Sequence, residues 1–494
     1  MPLSEPNASA LLLLVFGSLL AVSVIFSRAT ERVSVPVVLI FLVIGMLAGS
    51  EGIGGIDFTN YAFSYRLGMI ALALILFDGG LNTPLAAVRV GIAPAGILAT
   101  VGVVGIAAGI AVVARALGFP WNEAMLLGAI VSSTDASAVF TVLRGSGLHL
   151  KKRVGATLEL ESGLNDPMAF ILMIALTEHL IAGDASMAWW DVPGHVALEL
   201  VSGAALGLAI GYVGRKLIQH LRLPAGGLYP ALTLAIACIA FAVPTLLQGS
   251  GFLAVYLAGI LLGNGDLPYR AGLFRVHDAM AWLSQIAMFL ILGLLVFPSE
   301  LIEVGWNGVV LALVLAFVAR PLVVAVLLLP FRFKPKEIGY IGWVGLRGAV
   351  PIVFATYPVL MEAPGAGRIF NVVFFIVVLS AIVPGSTVAW VTRKLRLGTP
   401  DTPTAPAILA IESRQRLSGD FSSYYISEGL AVTGAEIADL GLPDGAAVSL
   451  VIRGNDLIPP KGSTVLSPGD HVYIVSRPED RDFVQLLFGR AEDE

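Results

Sequence analysis

The chain has 494 residues, of which 57% are hydrophobic and only 13% charged, and its formal net charge is −5. Soluble domains carry roughly 25% charged residues, so this composition, with a mean hydropathy of +0.87, excludes a water-soluble globule for most of the chain. There is no basic tail to serve as a nucleic-acid footprint, and the single cysteine, Cys238, can form neither an intramolecular disulfide nor a Cys-based metal site.

The first apolar run begins near Ala10, and the first positive charge, Arg28, follows it. A secretory leader carries its positive charge before the apolar region, so this run is read as a retained first span. A span needs about 20 mostly apolar residues. Thirteen stretches qualify: 10–28, 33–50, 65–83, 90–115, 122–143, 156–182, 196–218, 228–247, 252–264, 279–297, 306–330, 337–361 and 369–391. The ninth is short, and without it the count is twelve.

The connections agree with thirteen. One set carries eighteen Lys and Arg: Arg28 and Arg32; Arg89; Arg144, Lys151, Lys152 and Arg153; Arg215, Lys216 and Arg222; Arg270 and Arg275; Arg332, Lys334 and Lys336; Arg393, Lys394 and Arg396. The opposite set holds only Arg66, Arg115 and Arg368, with acids and interfacial aromatics such as Trp189-Trp190-Asp191. Excess Lys and Arg marks the cytoplasmic side, which places the N-terminus outside and the C-terminus in the cytoplasm.

From Gly398 the texture changes. Residues 396–406 read as a linker between a membrane domain, 1–395, and a soluble domain, 407–494. Alternation over 447–452 predicts a strand, Gly454-Asn455-Asp456 a turn, and 471–475 a second strand. Pro478-Glu479-Asp480 opens a helix ending near Phe488. The fold class is therefore an all-α polytopic membrane protein of about 13 transmembrane helices with a small α+β cytoplasmic domain.

An ionisable side chain at the bilayer centre costs about 2.5–3.5 kcal/mol, so such residues are functional candidates by default. Asp78, Asp135, Glu159, Glu161, Asp166, Arg320 and Arg347 fall inside spans. The sixth span carries Glu159-Leu160-Glu161-Ser162-Gly163-Leu164-Asn165-Asp166-Pro167. Glu161 and Asn165 share a helix face, and Asp166 turns about 100° away. Pro167 has no amide hydrogen, so the Gly163 carbonyl loses its helical donor. Such an oxygen-rich shell suits a hard monovalent cation. In the fifth span, Ser132-Ser133-Thr134-Asp135-Ala136-Ser137 competes with its own backbone and predicts a break, with Thr134 or Asp135 capping a new half-helix. In the twelfth, Gly345-Leu346-Arg347-Gly348-Ala349-Val350-Pro351 predicts a second break. Two broken helices seven spans apart point to inverted repeats, spans 1–6 and 8–13, with a transport site between them.

These runs resemble the signatures of the NhaP/NHE-type monovalent cation:proton antiporters, over essentially all of residues 10–391. Phe77-Asp78-Gly79-Gly80-Leu81 and 251–259 fit the same pattern. Leu457-Ile458-Pro459-Pro460 and Leu466-Ser467-Pro468-Gly469-Asp470 resemble a TrkA-C (RCK-C) regulatory domain. The combination resembles the bacterial NhaP-type K⁺/H⁺ antiporters of the cell-volume-regulation kind. The resemblance implies an inner-membrane homodimer that works by an elevator-like movement, with roles in cation, pH and cell-volume homeostasis. It implies a cation and proton site at Asp166, Asp135, Thr134 and Ser162, and a supporting network of Glu161, Asn165 and Arg347. Asp78, Glu159 and Arg320 are accessory candidates. Ala136 stands where the family often has proline. The neutral Asn165 resembles the electroneutral branch, one cation for one proton. Arg347 is expected to pair with Glu161, leaving Asp166 free for K⁺ or Na⁺ and H⁺ in turn. The implied partners are those ions, the bilayer, a second copy of the chain, and a small regulatory ligand at the soluble domain. No cofactor is implied.

Other readings carry less. Gly263-Asn264-Gly265-Asp266 matches the GxGD pattern of intramembrane aspartyl proteases, but the chain has no Tyr-Asp dipeptide. A cation channel would call for a filter like Thr-Val-Gly-Tyr-Gly, which is absent. A Na⁺-selective exchanger is the nearest alternative.

Overall fold

The structure, a computed structural model, describes residues 7–27, 36–182, 192–400, 419–489 and 491. Arg28, Arg32, the Trp189-Trp190-Asp191 loop and residues 401–418, which take in most of the expected linker, lie outside the described residues. Two compact units emerge: one of residues 1–267 and 274–399, the other of residues 268–273 and 400–494.

Among the described residues, every stretch expected to span is built from helix, two of them in two pieces. The helices are α1 (Asn7–Ser27), α2 (Val38–Ala48), α3 (Tyr61–Asn82), α4 (Leu85–Ala116), α5 (Trp121–Ile130), α6 (Ala136–Gly145), α7 (Lys152–Ala182) and α8 (Val192–His220). They continue with α9 (Leu228–Leu246), α10 (Gly251–Gly263), α11 (Arg270–Leu294), α12 (Pro298–Phe331), α13 (Pro335–Trp343), α14 (Val350–Leu360) and α15 (Ala366–Leu395). Among the described residues, nine are long and apolar enough to cross a membrane on their own. The pairs α5–α6 and α13–α14 are the two predicted broken spans. Large apolar side chains such as Leu13, Ile25, Trp306 and Leu322 are exposed on the bundle's flank, as a lipid-facing surface requires.

Local chemistry explains the breaks. Asp135 is the N-cap of α6, its Oδ1 accepting from the amides of Ser137 at 2.9 Å and Ala138 at 3.3 Å. Pro351 sits in the first turn of α14, where its missing amide hydrogen costs nothing. By contrast, α7 runs through Pro167 without interruption. Single π turns interrupt α4 at Leu98–Gly102, α12 at Leu315–Ala319 and α15 at Ala381–Gly385. The first two lie in the fourth and eleventh spans, again seven apart.

Helices meet closely where both carry small residues, the usual route to packing in lipid. On α3 and α10, Gly80 and Gly259 face each other. A Cβ at Gly80 would meet the Tyr256 carbonyl oxygen at 2.4 Å, and one at Gly259 the Phe77 carbonyl oxygen at 2.6 Å. Gly79, its chain neighbour, faces open space.

A short ladder of β1 (Leu148–Leu150) and β2 (Gly398–Pro400) follows from chain segments expected as a loop and a linker. In the second unit, β3 (Asp420–Tyr425), β4 (Ala446–Arg453), β5 (Asp456–Ile458) and β6 (Asp470–Ser476) form an antiparallel sheet in the order β3-β6-β4-β5. Helix α16 (Arg481–Phe488) contributes Val484 and Phe488 to a core with Tyr424, Val451, Val472 and Ile474. Asp470, fully buried, accepts two 2.8 Å hydrogen bonds from Arg453 and one from the Ser467 amide.

The paired glycines make a sharp contrast. Gly80→Ala is expected to destabilise the purified protein by about 1–3 kcal/mol, the usual cost of overpacking. Gly79→Ala is expected to be neutral or slightly stabilising, since alanine favours helix over glycine. Thermal melts in detergent, followed by size-exclusion fluorescence, check the pair.

Candidate functional site

The two breaks meet. The amide of Asp135 donates to the carbonyl of Leu346 at 2.7 Å. Gly348 has no side chain because none fits: a Cβ there would lie 2.1 Å from Asp135 Oδ2. α7 ties the fifth-span break from a third side. Ser162 Oγ donates to the Thr134 carbonyl at 2.9 Å and accepts from the Ala136 amide at 3.1 Å. Asn165 Nδ2 donates to Thr134 Oγ1 at 2.6 Å.

Asp166 sits within this meeting point, 3% exposed. Ser133 and Asp135 are its polar neighbours. Three buried oxygens, Asp166 Oδ1, Asn165 Oδ1 and Ser133 Oγ, have no hydrogen-bond partner among the described residues. Buried polar atoms are rarely left unpaired, so an open carboxylate oxygen on Asp166, with the Ser133 hydroxyl as its polar neighbour, marks room for a cation or proton. Among the sequence candidates, the Thr134 hydroxyl accepts from Asn165 and the Ser162 hydroxyl bridges the break. Ser133 belongs with Asp166, although motif reasoning had passed it over inside its polar run.

One expectation is corrected. Glu161 pairs with Arg320, not with Arg347: Arg320 Nη1 and Nη2 lie 2.8 and 3.1 Å from the two Glu161 carboxylate oxygens. Both side chains are buried, 1% and 3% exposed. Arg320 opens the α-helical stretch after the α12 π turn and lies against Gly345, where a Cβ would meet its Nε at 1.8 Å. Arg347 is held inside the second break by backbone carbonyls, its Nε donating to Val131 at 3.2 Å and its Nη1 to Gly345 at 2.5 Å. Free carbonyls at a helix break compete for a guanidinium, and here they win it. The available signal was the π turn ahead of Arg320, which is frequent at functional sites but has no sequence signature.

Of the accessory candidates, Arg320 belongs to this centre, whereas Asp78 and Glu159 have partners outside it. Asp78 Oδ1 accepts from Asn82 at 3.1 Å. Glu159 Oε1 accepts from Thr83 Oγ1 at 3.0 Å, two turns before Asp166 on α7. Among the described residues there is no cluster of three or more His, Cys, Asp or Glu side chains able to hold a metal ion.

A bundle with two broken helices crossing at a buried, unpaired carboxyl defines a secondary transporter rather than an enzyme. The chain belongs to the sodium/hydrogen exchanger family: the family model described as the transmembrane sodium/hydrogen exchanger matches residues 16–394, and a TrkA-C domain model matches 422–489. It is 40% identical over 488 residues to the K(+)/H(+) antiporter NhaP2 of Shewanella sp. (strain ANA-3), covering 97% of this chain and 83% of that one. It is likewise 40% identical to the K(+)/H(+) antiporter NhaP of Alkalimonas amylolytica, covering 98% and 84%. Among solved structures, the sodium proton antiporter MjNhaP1 of Methanocaldococcus jannaschii at pH 8 shares the fold, with a TM-score of 0.68 at 22% identity over 78% of this chain and 99% of that one.

Removing one member of a buried ion pair strands the other and costs about 3–5 kcal/mol. Arg320→Met is therefore expected to lower the melting temperature of the detergent-purified protein sharply. The double variant Glu161→Met with Arg320→Met should recover a large part of that loss. Additive losses in the double-mutant cycle would show that the two side chains do not act as a pair.

Proposed function

We propose that the chain exchanges K⁺ for H⁺ across a bacterial inner membrane, with Asp166 as the carboxylate that the two ions occupy in turn. The observation that carries this is the unpaired Asp166 oxygen, buried near Ser133 and Asp135, while the hydrogen bonds of Arg320 and Arg347 go to Glu161 and to backbone carbonyls. A carboxylate can hold a proton or a metal cation, and competition for one group couples the two fluxes.

Charge counting supports one-for-one exchange. With its acids ionised, the centre holds three carboxylates, Asp135, Glu161 and Asp166, against two guanidiniums, Arg320 and Arg347. Empty, it carries one net negative charge. One proton or one monovalent cation makes it neutral. A low-dielectric barrier opposes the passage of the charged form far more than that of the neutral one, so only the loaded site crosses. Asp135 and the Thr134 and Ser162 oxygens complete the surroundings of the ion, and Glu161, Asn165 and Arg347 hold them in place.

The spans matched seven apart favour inverted repeats and an elevator-like movement of one part of the bundle against the other. The loop charges favour an outside N-terminus and a cytoplasmic C-terminal unit, running from a linker over 396–406 into a regulatory domain over 407–494. That domain would bind a small ligand and adjust exchange in the service of cation, pH and cell-volume homeostasis. The working form is a homodimer. The named relatives and the TrkA-C match favour K⁺ over Na⁺.

Asp166→Asn is expected to abolish K⁺-dependent proton movement, read as dequenching of a pH-sensitive dye in everted vesicles. Wild-type flux in that variant would refute the assignment. On a supported membrane at symmetrical pH, K⁺ steps should give no sustained current. A steady current would overturn the one-for-one stoichiometry.

A further inference from the structure

We propose that Glu159 is a second station for the cation and proton, and that the Tyr256 ring is the movable partition between it and Asp166. This rests on the exchange reading above. Residues 159, 163, 166 and 170 follow the i, i+4, i+7, i+11 spacing, so they form one stripe along α7. Seven residues of helix separate the two carboxyls by about 10 Å along the axis.

α10 covers that stripe with two aromatic rings, one on each side of the Asp166 level. Toward the end of α7 that begins at Lys152, Tyr256 lies flat on Gly163: a Cβ at Gly163 would meet the ring at 2.5–2.9 Å. Toward the other end, Phe252 packs edge-on against Phe170, centroids 5.0 Å apart, and Phe354 adds a third ring 5.5 Å from Phe170. The two covers differ in chemistry. The phenylalanine cluster offers an ion no oxygen. The tyrosine cover ends in a hydroxyl 3.4 Å from Thr83 Oγ1, which lies 3.0 Å from Glu159 Oε1. A polar line of carboxylate, threonine and tyrosine therefore runs from Glu159 to the ring that covers Gly163, and the described phenylalanine cover at the other end has no counterpart to it.

Glu159 has the properties of a station rather than of a fixed anchor. It is half-buried, and no Lys, Arg or His forms an ion pair with it among the described residues. Its partner Thr83 has one hydroxyl hydrogen and two acceptors, the Glu159 carboxylate at 3.0 Å and the Gly79 carbonyl at 2.7 Å. One hydrogen cannot serve both fully. A proton on Glu159, or a cation beside it, completes the set. Thr83 caps the end of α3 and Tyr256 belongs to α10, whereas Glu159 and Asp166 ride on α7, so sliding α7 against the other two lifts the ring off Gly163 and joins the two stations.

The test is K⁺-dependent proton flux by the full-length protein in everted and right-side-out vesicles, with K⁺ varied on the exposed face. Glu159→Gln is expected to raise KM for K⁺ about tenfold, the loss of one charge-assisted contact, on the face that bears Lys151, Lys152 and Arg153. KM on the opposite face should stay at the parent value. Thr83→Val should shift KM on the same face alone, and it serves as the second variant if Glu159→Gln does not fold. Tyr256→Phe keeps the ring but removes its tie, and should slow turnover with little change in KM. A KM unchanged on both faces, or raised equally on both, in variants with normal melting curves would overturn the second station. If Asp166→Asn is inactive while Glu159→Gln behaves as the parent on both faces, only the second station falls. If Asp166→Asn still exchanges, the exchange reading itself falls.

Discussion

The ion pair between Arg320 and Glu161 is the constraint on which the rest of the centre depends. A bundle interior cannot hold a free guanidinium beside a free carboxylate without joining them. Had Arg320 been absent, Glu161 would draw on Arg347, which already feels its charge. With Arg320 clamped on both oxygens of Glu161 and Arg347 drawn to carbonyls of the two breaks, neither Asp135 nor Asp166 is clamped by an arginine, and Asp135 spends one oxygen capping α6. The pair thus acts on Asp166 by what it withholds. Position matters as much as charge here, because Gly345 must lack a side chain for the Arg320 guanidinium to pass.

Broken helices give up backbone hydrogen bonds inside a membrane, and every exposed group must find another partner. The structure meets this demand by having the breaks serve each other. Leu346 accepts from Asp135, Val131 accepts from Arg347, and Ser162 bridges Thr134 and Ala136 across the fifth-span gap. Much of the polar character that marks the sequence is therefore consumed in holding irregular backbone. Around the two breaks, the oxygens left over among the described residues belong to Ser133, Asn165 and Asp166.

The spans were legible because lipid imposes a long apolar run, and both breaks because Ser-Ser-Thr-Asp and Gly-Leu-Arg-Gly-Ala-Val-Pro conflict with helix in any setting. Asp166 was legible because a buried acid in such a run has few structural excuses. The partner of Glu161 was not. Choosing between Arg320 and Arg347 depends on the rotation of α12 about its axis, which the Leu315–Ala319 π turn resets, and such a turn leaves no residue pattern. Ser133 was hidden for a related reason: in Ser132-Ser133-Thr134-Asp135, side-chain direction is set by non-helical backbone angles, so periodicity says nothing. In the second unit, the alternating strands at 447–452 and 471–475 were readable, while Asp420–Tyr425, with Ser422 and Ser423 buried, lacks the apolar alternation that would have announced it.

Asn165 shows how closely charge balance and architecture are joined. Its Nδ2 holds the Thr134 hydroxyl at 2.6 Å, and its Oδ1 has no hydrogen-bond partner among the described residues. An aspartate at this position would add a second uncompensated negative charge, so that neutrality would call for two protons or one cation and one proton. It would also replace the donor facing Thr134 with an acceptor, forcing the threonine hydroxyl to reverse its hydrogen bond. The amide therefore fixes two things with one side chain: the number of positive charges the empty centre asks for, and the shape of the break that receives them.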